Sequence, residues 1–249
     1  MSNEVLVAIA VGFVAQLIDG ALGMAYGLTV SSVLLSAGVP PAFSSAAVHA
    51  AEVFTTGASG FAHWRVGNVD RRLFLGLVIP GVIGGAIGAY VLSSVPGEVI
   101  QPWVSAYLVV VGLVVLSKAL RRQREYAETR KVLLAPLGLL GGAIDALGGG
   151  GWGPLVTSTL LGQGAAPRTV IGSVNLCEFF LASSVAATFM MTIGTSLWPI
   201  IAGLVIGGVI AAPFAALVVR YLPGRILMFI VGIVVVLLGA WRIFGALSD

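Results

Sequence analysis

The stretches Gly12 to Phe54 and Gly138 to Phe180 carry one pattern twice, at a constant separation of 126 positions and without a gap. The register aligns Ile18-Asp19 with Ile144-Asp145, Gly23 with Gly149, Gly27 with Gly153, Gly38 with Gly164, Pro41 with Pro167, Glu52 with Glu178 and Phe54 with Phe180. Tyr26 falls on Trp152, and His49 falls on Asn175. After one inserted residue the match resumes at a separation of 127, where Gly76-Leu77-Val78-Ile79 meets Gly203-Leu204-Val205-Ile206 and Pro96-Gly97 meets Pro223-Gly224. A chain that duplicates its polar residues along with its apolar ones is held to a fold of two related halves.

The solvent of those halves follows from composition. With 249 residues, 58% hydrophobic and 9% charged, and a mean hydropathy of +1.06, there is too little charge to cover a water-soluble globule, and the chain belongs in a bilayer. The 34 glycines agree, because small residues let transmembrane helices approach closely. A β-barrel is excluded by continuous rather than alternating apolar stretches, as in Leu73 to Leu92 and Ile226 to Leu238. No nucleic-acid partner is expected, since the basic cluster is confined to one linker. The single Cys177 rules out an internal disulfide or a cysteine metal cage and reads as a small apolar helix residue. The start Met1-Ser2-Asn3-Glu4 lacks a basic region, so the first hydrophobic segment is expected to stay in the mature protein.

Each half reads as five apolar elements. In the first they are Glu4–Ile18, Met24–Ala37, Phe43–Trp64, Leu73–Ser93 and Val99–Leu120; in the second, Val132–Ile144, Pro154–Leu161, Thr169–Ile193, Leu197–Leu222 and Arg225–Phe244. At about 1.5 Å per helical residue, the last three of each half can cross a hydrocarbon core of about 30 Å, and the first two cannot comfortably do so alone. The short pair is therefore predicted to form a broken, re-entrant hairpin, divided by Asp19-Gly20-Ala21-Leu22-Gly23 in one half and Asp145-Ala146-Leu147-Gly148-Gly149-Gly150-Gly151 in the other.

Charge sets the orientation. Arg65, Arg71 and Arg72 lie between the third and fourth elements of the first half, whereas in the second half Arg220 and Arg225 flank the fourth-to-fifth turn and the connection at Gly194-Thr195-Ser196 is uncharged. Positive loops prefer the cytoplasm, so the two halves are predicted to be inverted relative to each other. The prediction is an all-α polytopic membrane protein of two inverted-topology repeats, each a broken, re-entrant hairpin plus three spanning helices. Residues 1–120 form the first membrane repeat, 121–131 a cytoplasmic basic linker and 132–249 the second repeat, with both termini on the outer face. Arg242, near the outer C-terminus, departs from the charge rule.

Asp19 and Asp145 sit where the first short element ends, at a depth where an ionised carboxylate costs several kcal/mol unless paired or hydrated. Two readings stand: each binds a proton or shapes a cavity, or each caps the N–H groups of the following half-helix. Glu52 and Glu178 lie one turn beyond His49 and Asn175, on shared helix faces. Ser45, His49, Glu52, Thr56 and Ser59 line one face of the third element, whereas Ile171 and Ala182 interrupt the same stripe in the second half. His49 is either a proton relay tuned by Glu52 or a satisfied structural residue.

Behind the glycine runs, half-helices begin at Met24-Ala25-Tyr26-Gly27 and Trp152-Gly153-Pro154, and free N–H groups at such ends attract anions. Paired, glycine-interrupted segments of this kind mark the substrate site of inverted-repeat transporters. Candidate substrate contacts are Gly23, Tyr26, Gly27, Ser31, Gly149, Gly150, Gly151, Trp152, Thr157 and Asn175; candidate proton or cavity residues are Asp19, His49, Glu52, Asp145 and Glu178. Tyr26 and Trp152 either gate the site or pack against the hairpins. No interior Lys or Arg is expected to hold an anion, which leaves backbone N–H groups and hydroxyls.

The run Gly142-Ala143-Ile144-Asp145-Ala146-Leu147-Gly148-Gly149-Gly150-Gly151-Trp152-Gly153, the glycine-rich segment near the start of each half, and the Pro-containing turn before a Glu-bearing helix together resemble the sulfite exporter TauE/SafE family over essentially the full length. The resemblance implies a bacterial or archaeal inner-membrane permease for small anions, with sulfite, sulfoacetate and other organosulfonates or sulfur oxyanions as associated substrates. The first glycine run is thinner than the second, with Leu22, Met24 and Ala25 opposite Gly148, Gly150 and Gly151.

The sequence thus reads as a secondary transporter of small anions working by alternating access, with proton coupling through the buried acids as one option and a passive anion channel as the rival. No Gly-Lys-Ser/Thr phosphate loop, metal triad or cofactor motif is present, and His49 with Glu52 and Cys177 with Glu178 are the only close pairs an intramembrane enzyme could use. Glycine-lined faces such as Gly81, Gly84, Gly85 and Gly88 suit packing within or between protomers, which leaves the oligomeric state open.

Overall fold

The computed structural model describes residues 3–22, 24–120, 134–163, 165–194, 197–221 and 224–248. Gly23 and the linker 121–131 lie outside the described residues. The described residues are helical: α1 Asn3–Leu22, α2 Tyr26–Ser36, α3 Pro41–Arg65, α4 Arg71–Ser94, α5 Gly97–Leu120, α6 Leu134–Gly148, a π-helical turn Gly153–Thr157 continuing into α7 Ser158–Gly162, then α8 Pro167–Thr192, α9 Trp198–Tyr221 and α10 Gly224–Ser248.

Three of these, within α4, α5 and α8, are long and apolar enough to cross a membrane. The polarity of the fold is that of a protein in lipid. Along α4, Ile79, Ile83 and Ile87 are 62%, 49% and 54% exposed, while Gly81, Gly84, Gly85 and Gly88 are buried on the other side. Bulky side chains face outward and small ones face protein, because between helices in lipid only close packing and hydrogen bonding are gained.

The helices pack as crossed pairs. α1 packs on α9 and α6 on α4, so the first helix of each half lies against the fourth helix of the other; α3 packs on α8 and α5 on α10, like against like. The duplicated glycines make these contacts. A Cβ at Gly12 would strike the Leu204 carbonyl, and one at its equivalent Gly138 would come within 2.8 Å of the Leu77 carbonyl oxygen. Gly112 meets Val236 and Gly239 meets Val109 in the same reciprocal way. The repeat seen in the sequence is therefore a repeat of interfaces.

The expected ten-element division appears, but the helix before each break runs longer than expected. α1 does not stop at Ile18 but continues one turn past Asp19 to Leu22, and α6 likewise continues past Ile144 to Gly148, since a single glycine inside a helix costs only about 1 kcal/mol. α2, with 11 residues, is about 16 Å long and cannot cross the hydrocarbon by itself.

Candidate functional site

Each half breaks its helix behind an aspartate. In the first, α1 ends at Leu22 and α2 begins at Tyr26, behind Ala25 at φ 104°. Asp19 Oδ1 accepts the Tyr26 N–H at 3.2 Å. In the second, α6 ends at Gly148, and Gly149 and Gly150 follow at φ 65° and 141°. Asp145 Oδ1 accepts from the Gly151 N–H at 2.6 Å and the Trp152 N–H at 2.8 Å. Both carboxylates thus hold the amide of the repeat-related Tyr26 or Trp152, and each stabilises a helix start whose N–H groups carry partial positive charge.

The two breaks touch. A Cβ added at Gly27 would lie 2.7 Å from the Gly150 Cα, so the backbones meet where neither position tolerates a side chain. Around this crossing the Ser31 hydroxyl donates to the Gly149 carbonyl, and the Tyr107 hydroxyl donates to the Gly150 carbonyl at 3.0 Å. Tyr26, Gly27, Ser31, Gly149, Gly150 and Gly151, expected as substrate contacts, are therefore gathered in one place. Thr157 is fully buried with its hydroxyl lacking a partner among the described residues, as are the hydroxyls of Thr29 and Ser32. Asn175 points elsewhere, donating to Ser59 Oγ at 2.9 Å. Both aromatic side chains are buried and tethered: Tyr26 Oη donates to the Leu204 carbonyl at 3.4 Å, and Trp152 Nε1 donates to the Val174 carbonyl at 3.3 Å.

The polar stripe of α3 faces this crossing. His49 Nδ1 lies 2.8 Å from the Ser45 carbonyl and 3.2 Å from Ser45 Oγ, while Ser45 Oγ donates to the Ala146 carbonyl at 2.6 Å. A carbonyl can only accept, and the Ser45 proton is spent on Ala146, so Nδ1 carries hydrogen. His49 Nε2 then faces Asp145 Oδ2 at 3.0 Å, a contact that needs one proton shared between them. Imidazolium with carboxylate, or imidazole with carboxylic acid, satisfies it equally, and either way the pair is neutral overall.

Glu52 is buried, its Oε1 set against the Gly27 backbone and its Oε2 without a partner among the described residues. It lies within electrostatic reach of Glu178, Asp145 and Asp19, so acids from both halves share one interior. Thr56 Oγ1 donates to the Glu52 carbonyl at 2.6 Å, leaving the carboxylate itself free of that hydroxyl.

Two expectations change here. Of the half-helix N–H groups read as free for an anion, those of Tyr26, Gly151 and Trp152 are held by Asp19 and Asp145, as in the capping alternative. A half-buried cation also approaches: Lys118, near the end of α5, donates to the Pro154 carbonyl at 3.0 Å and so reaches the π-helical turn behind the second break. The sequence did not mark it, because a four-carbon stem lets the ammonium act away from its own backbone position. Tyr107 was likewise unmarked, because nothing in an apolar 24-residue helix signals which hydroxyl meets a glycine carbonyl.

Comparison with known proteins agrees over the length of the chain. The family described as sulfite exporter TauE/SafE matches residues 8–242. The chain is similar to the probable membrane transporter protein YtnM of Bacillus subtilis (strain 168), with 43% identity over 246 residues, 96% of this chain and 82% of that relative.

Proposed function

The chain belongs to the sulfite exporter TauE/SafE family of membrane transporters, and from that premise we propose that it is a secondary transporter of small anions, such as sulfite, sulfoacetate or a related organosulfonate, in the cell inner membrane. The anion binds where the two broken hairpins cross, and the surrounding helix pairs rock about that point to expose it to each side in turn. The halves are inverted repeats in this reading, with a cytoplasmic linker and both termini outside. The exchange-symmetric packing of α1 on α9 and α6 on α4 supports that arrangement.

The observation that carries the reading is the backbone crossing of Gly27 and Gly150, with Glu52 against Gly27 and with Asp19, Asp145 and Glu178 within electrostatic reach of Glu52. An anion entering among these acids meets repulsion of about 4 kcal/mol per ionised carboxylate at 4 Å in a medium of effective dielectric constant 20. The site therefore accepts an anion together with protons. Glu52 is the acid best suited to take one, since its Oε2 has no competing partner among the described residues. The unpartnered hydroxyls of Thr29, Ser32 and Thr157 supply neutral donors, and Lys118 supplies charge.

Counterflow in proteoliposomes tests this. Labelled sulfite should accumulate against unlabelled internal sulfite, with sulfoacetate competing more strongly than acetate and empty liposomes showing nothing. Saturable counterflow supports a carrier; conductive, unsaturated flux without counterflow would identify a channel.

A further inference from the structure

Away from the hairpins, α3, α4 and α8 enclose an apolar cleft of about 450 Å³ between Phe61, Trp64, Phe74, Leu176, Phe179 and Phe180, a volume within the range of about 300–1,000 Å³ usual for ligand clefts. No side chain lining it is charged, and it opens outward, with Phe61, Trp64 and Phe180 being 52%, 58% and 42% exposed. Gly57 also lines it: a Cβ there would come within 3.1 Å of the Phe179 ring and narrow the space.

The mouth of the cleft is basic. The Arg65 guanidinium lies 5.7 Å from the centroid of the Phe61 ring. Arg71 stands three residues before Phe74 on α4, which puts the two on one helix face. Arg65, Arg71 and Arg72 are all exposed. Against them the loop sets only Asp70, whose carboxylate accepts the Leu73 N–H at 2.8 Å and caps α4. Arg168, the neighbouring cation on α8, is already bound to Asn68 and to the Val66 carbonyl. The duplicated fold does not require this arrangement, because the equivalent loop of the second half, Gly194 to Leu197, has no charge.

We propose that this cleft is a binding site for an anionic phospholipid, with an acyl chain between Phe61, Phe74 and Phe180 and the headgroup phosphate held by Arg65 and Arg71. Aromatic walls open to hydrocarbon fit the chain. An excess of exposed arginine at the interface fits an anionic headgroup, whose attraction is about 1 kcal/mol for each basic residue, or about fivefold in affinity. Trp64 stands at the rim, where an amphipathic indole prefers the boundary of the bilayer. The site depends only on the chain being embedded in a membrane and not on which anion it carries.

Tryptophan quenching by brominated lipid tests it on the full-length chain. With Trp103, Trp198 and Trp241 replaced by Phe, Trp64 remains beside the fully buried Trp152, and a further Trp64→Phe variant supplies the background. In vesicles of mixed composition, brominated phosphatidylglycerol should quench Trp64 at several-fold lower mole fraction than brominated phosphatidylcholine. The double variant Arg65→Gln/Arg71→Gln should bring the two curves together, and Arg65→Lys/Arg71→Lys should keep most of the separation. Equal quenching by the two lipids in the parent protein, or a preference that survives removal of both arginines, would overturn the proposal. Quenching by neither lipid would overturn it as well, because the cleft would then be covered by protein such as a second copy of the chain.

Discussion

His49 Nε2 stands 3.0 Å from Asp145 Oδ2, so a side chain from the first half holds the carboxylate that organises the broken helix of the second. The register of the repeat places Asn175 where His49 stands, yet Asn175 turns to Ser59 instead of reaching Asp19. The two hairpins are alike in backbone and unlike in how firmly their aspartates are tied.

That asymmetry gives unequal consequences for one substitution made twice. Asp145→Ala strands the Gly151 and Trp152 amides and His49 Nε2 in a buried setting, and should cost about 3–5 kcal/mol, as when one partner of a buried pair is removed. Asp19→Ala removes a single cap bond, to Tyr26, and should cost about 1–2 kcal/mol. Unfolding in mixed micelles reads both, and equal losses would mean that His49 adds nothing to the hold on Asp145.

The crossing of the hairpins can be probed with two glycines that share a positive φ. Gly150 has φ 141° and a Cβ there would run into Gly27, whereas Gly38 has φ 88° and nothing within 4 Å. Gly38→Ala should cost about 1–2 kcal/mol for left-handed backbone alone. Gly150→Ala adds a backbone collision and should exceed that by about 1–3 kcal/mol. Similar melting losses for the two variants would remove the case for close contact between the breaks.

Much of this architecture was legible in the sequence because the constraint was written twice. The equal spacing of Asp19 with Asp145 and Tyr26 with Trp152 announced two equivalent helix breaks, and the carboxylate-to-amide bonds are the physical reason for that spacing. The continuous apolar runs announced α3 to α5 and α8 to α10, since lipid rewards length and uniform hydropathy. What one sequence could not give was which half meets which. Nothing local to Gly12 says that it lies against Leu204, and nothing local to His49 says that its partner is Asp145, 96 residues away. Lys118 was missed for a related reason: its partner, the Pro154 carbonyl, is 36 residues away.

At the α3–α4 loop, a small network ties the halves together outside the hairpins. Arg168 donates to Asn68 Oδ1 and, at 3.2 Å, to the Val66 carbonyl, while Asn68 Nδ2 lies 3.0 Å from His63 Nδ1. Because arginine can only donate, it fixes the Asn68 amide with its oxygen toward α8 and its nitrogen toward His63. In a double-mutant cycle, Asn68→Ala and Arg168→Ala should show coupling of about 1.5–3 kcal/mol, the range of hydrogen bonds to charged groups. Additive losses in stability would mean that the loop is held by the packing of Gly172 against Asn68 and not by the guanidinium.

The proposed entry of protons with the anion fixes a sign for the pH dependence of flux. Neutral acids admit the substrate and ionised acids repel it, so uptake should fall as pH rises, by up to about tenfold per pH unit where one required proton is being lost. Glu52→Gln makes the unpartnered carboxylate permanently neutral while keeping its size, and should flatten the profile on the alkaline side without abolishing transport at acid pH. Glu178→Gln, at the repeat-related position, should flatten it less, because Glu178 is only partly buried where Glu52 is 3% exposed. The measurement is initial-rate sulfite uptake between pH 5.5 and 8.5 (roughly the range over which a required proton would be lost), corrected for the protonation of the substrate itself with a parallel series at constant concentration of the transported form. If Glu52→Gln kept the full slope of the parent protein, Glu52 would not be the group that takes the proton.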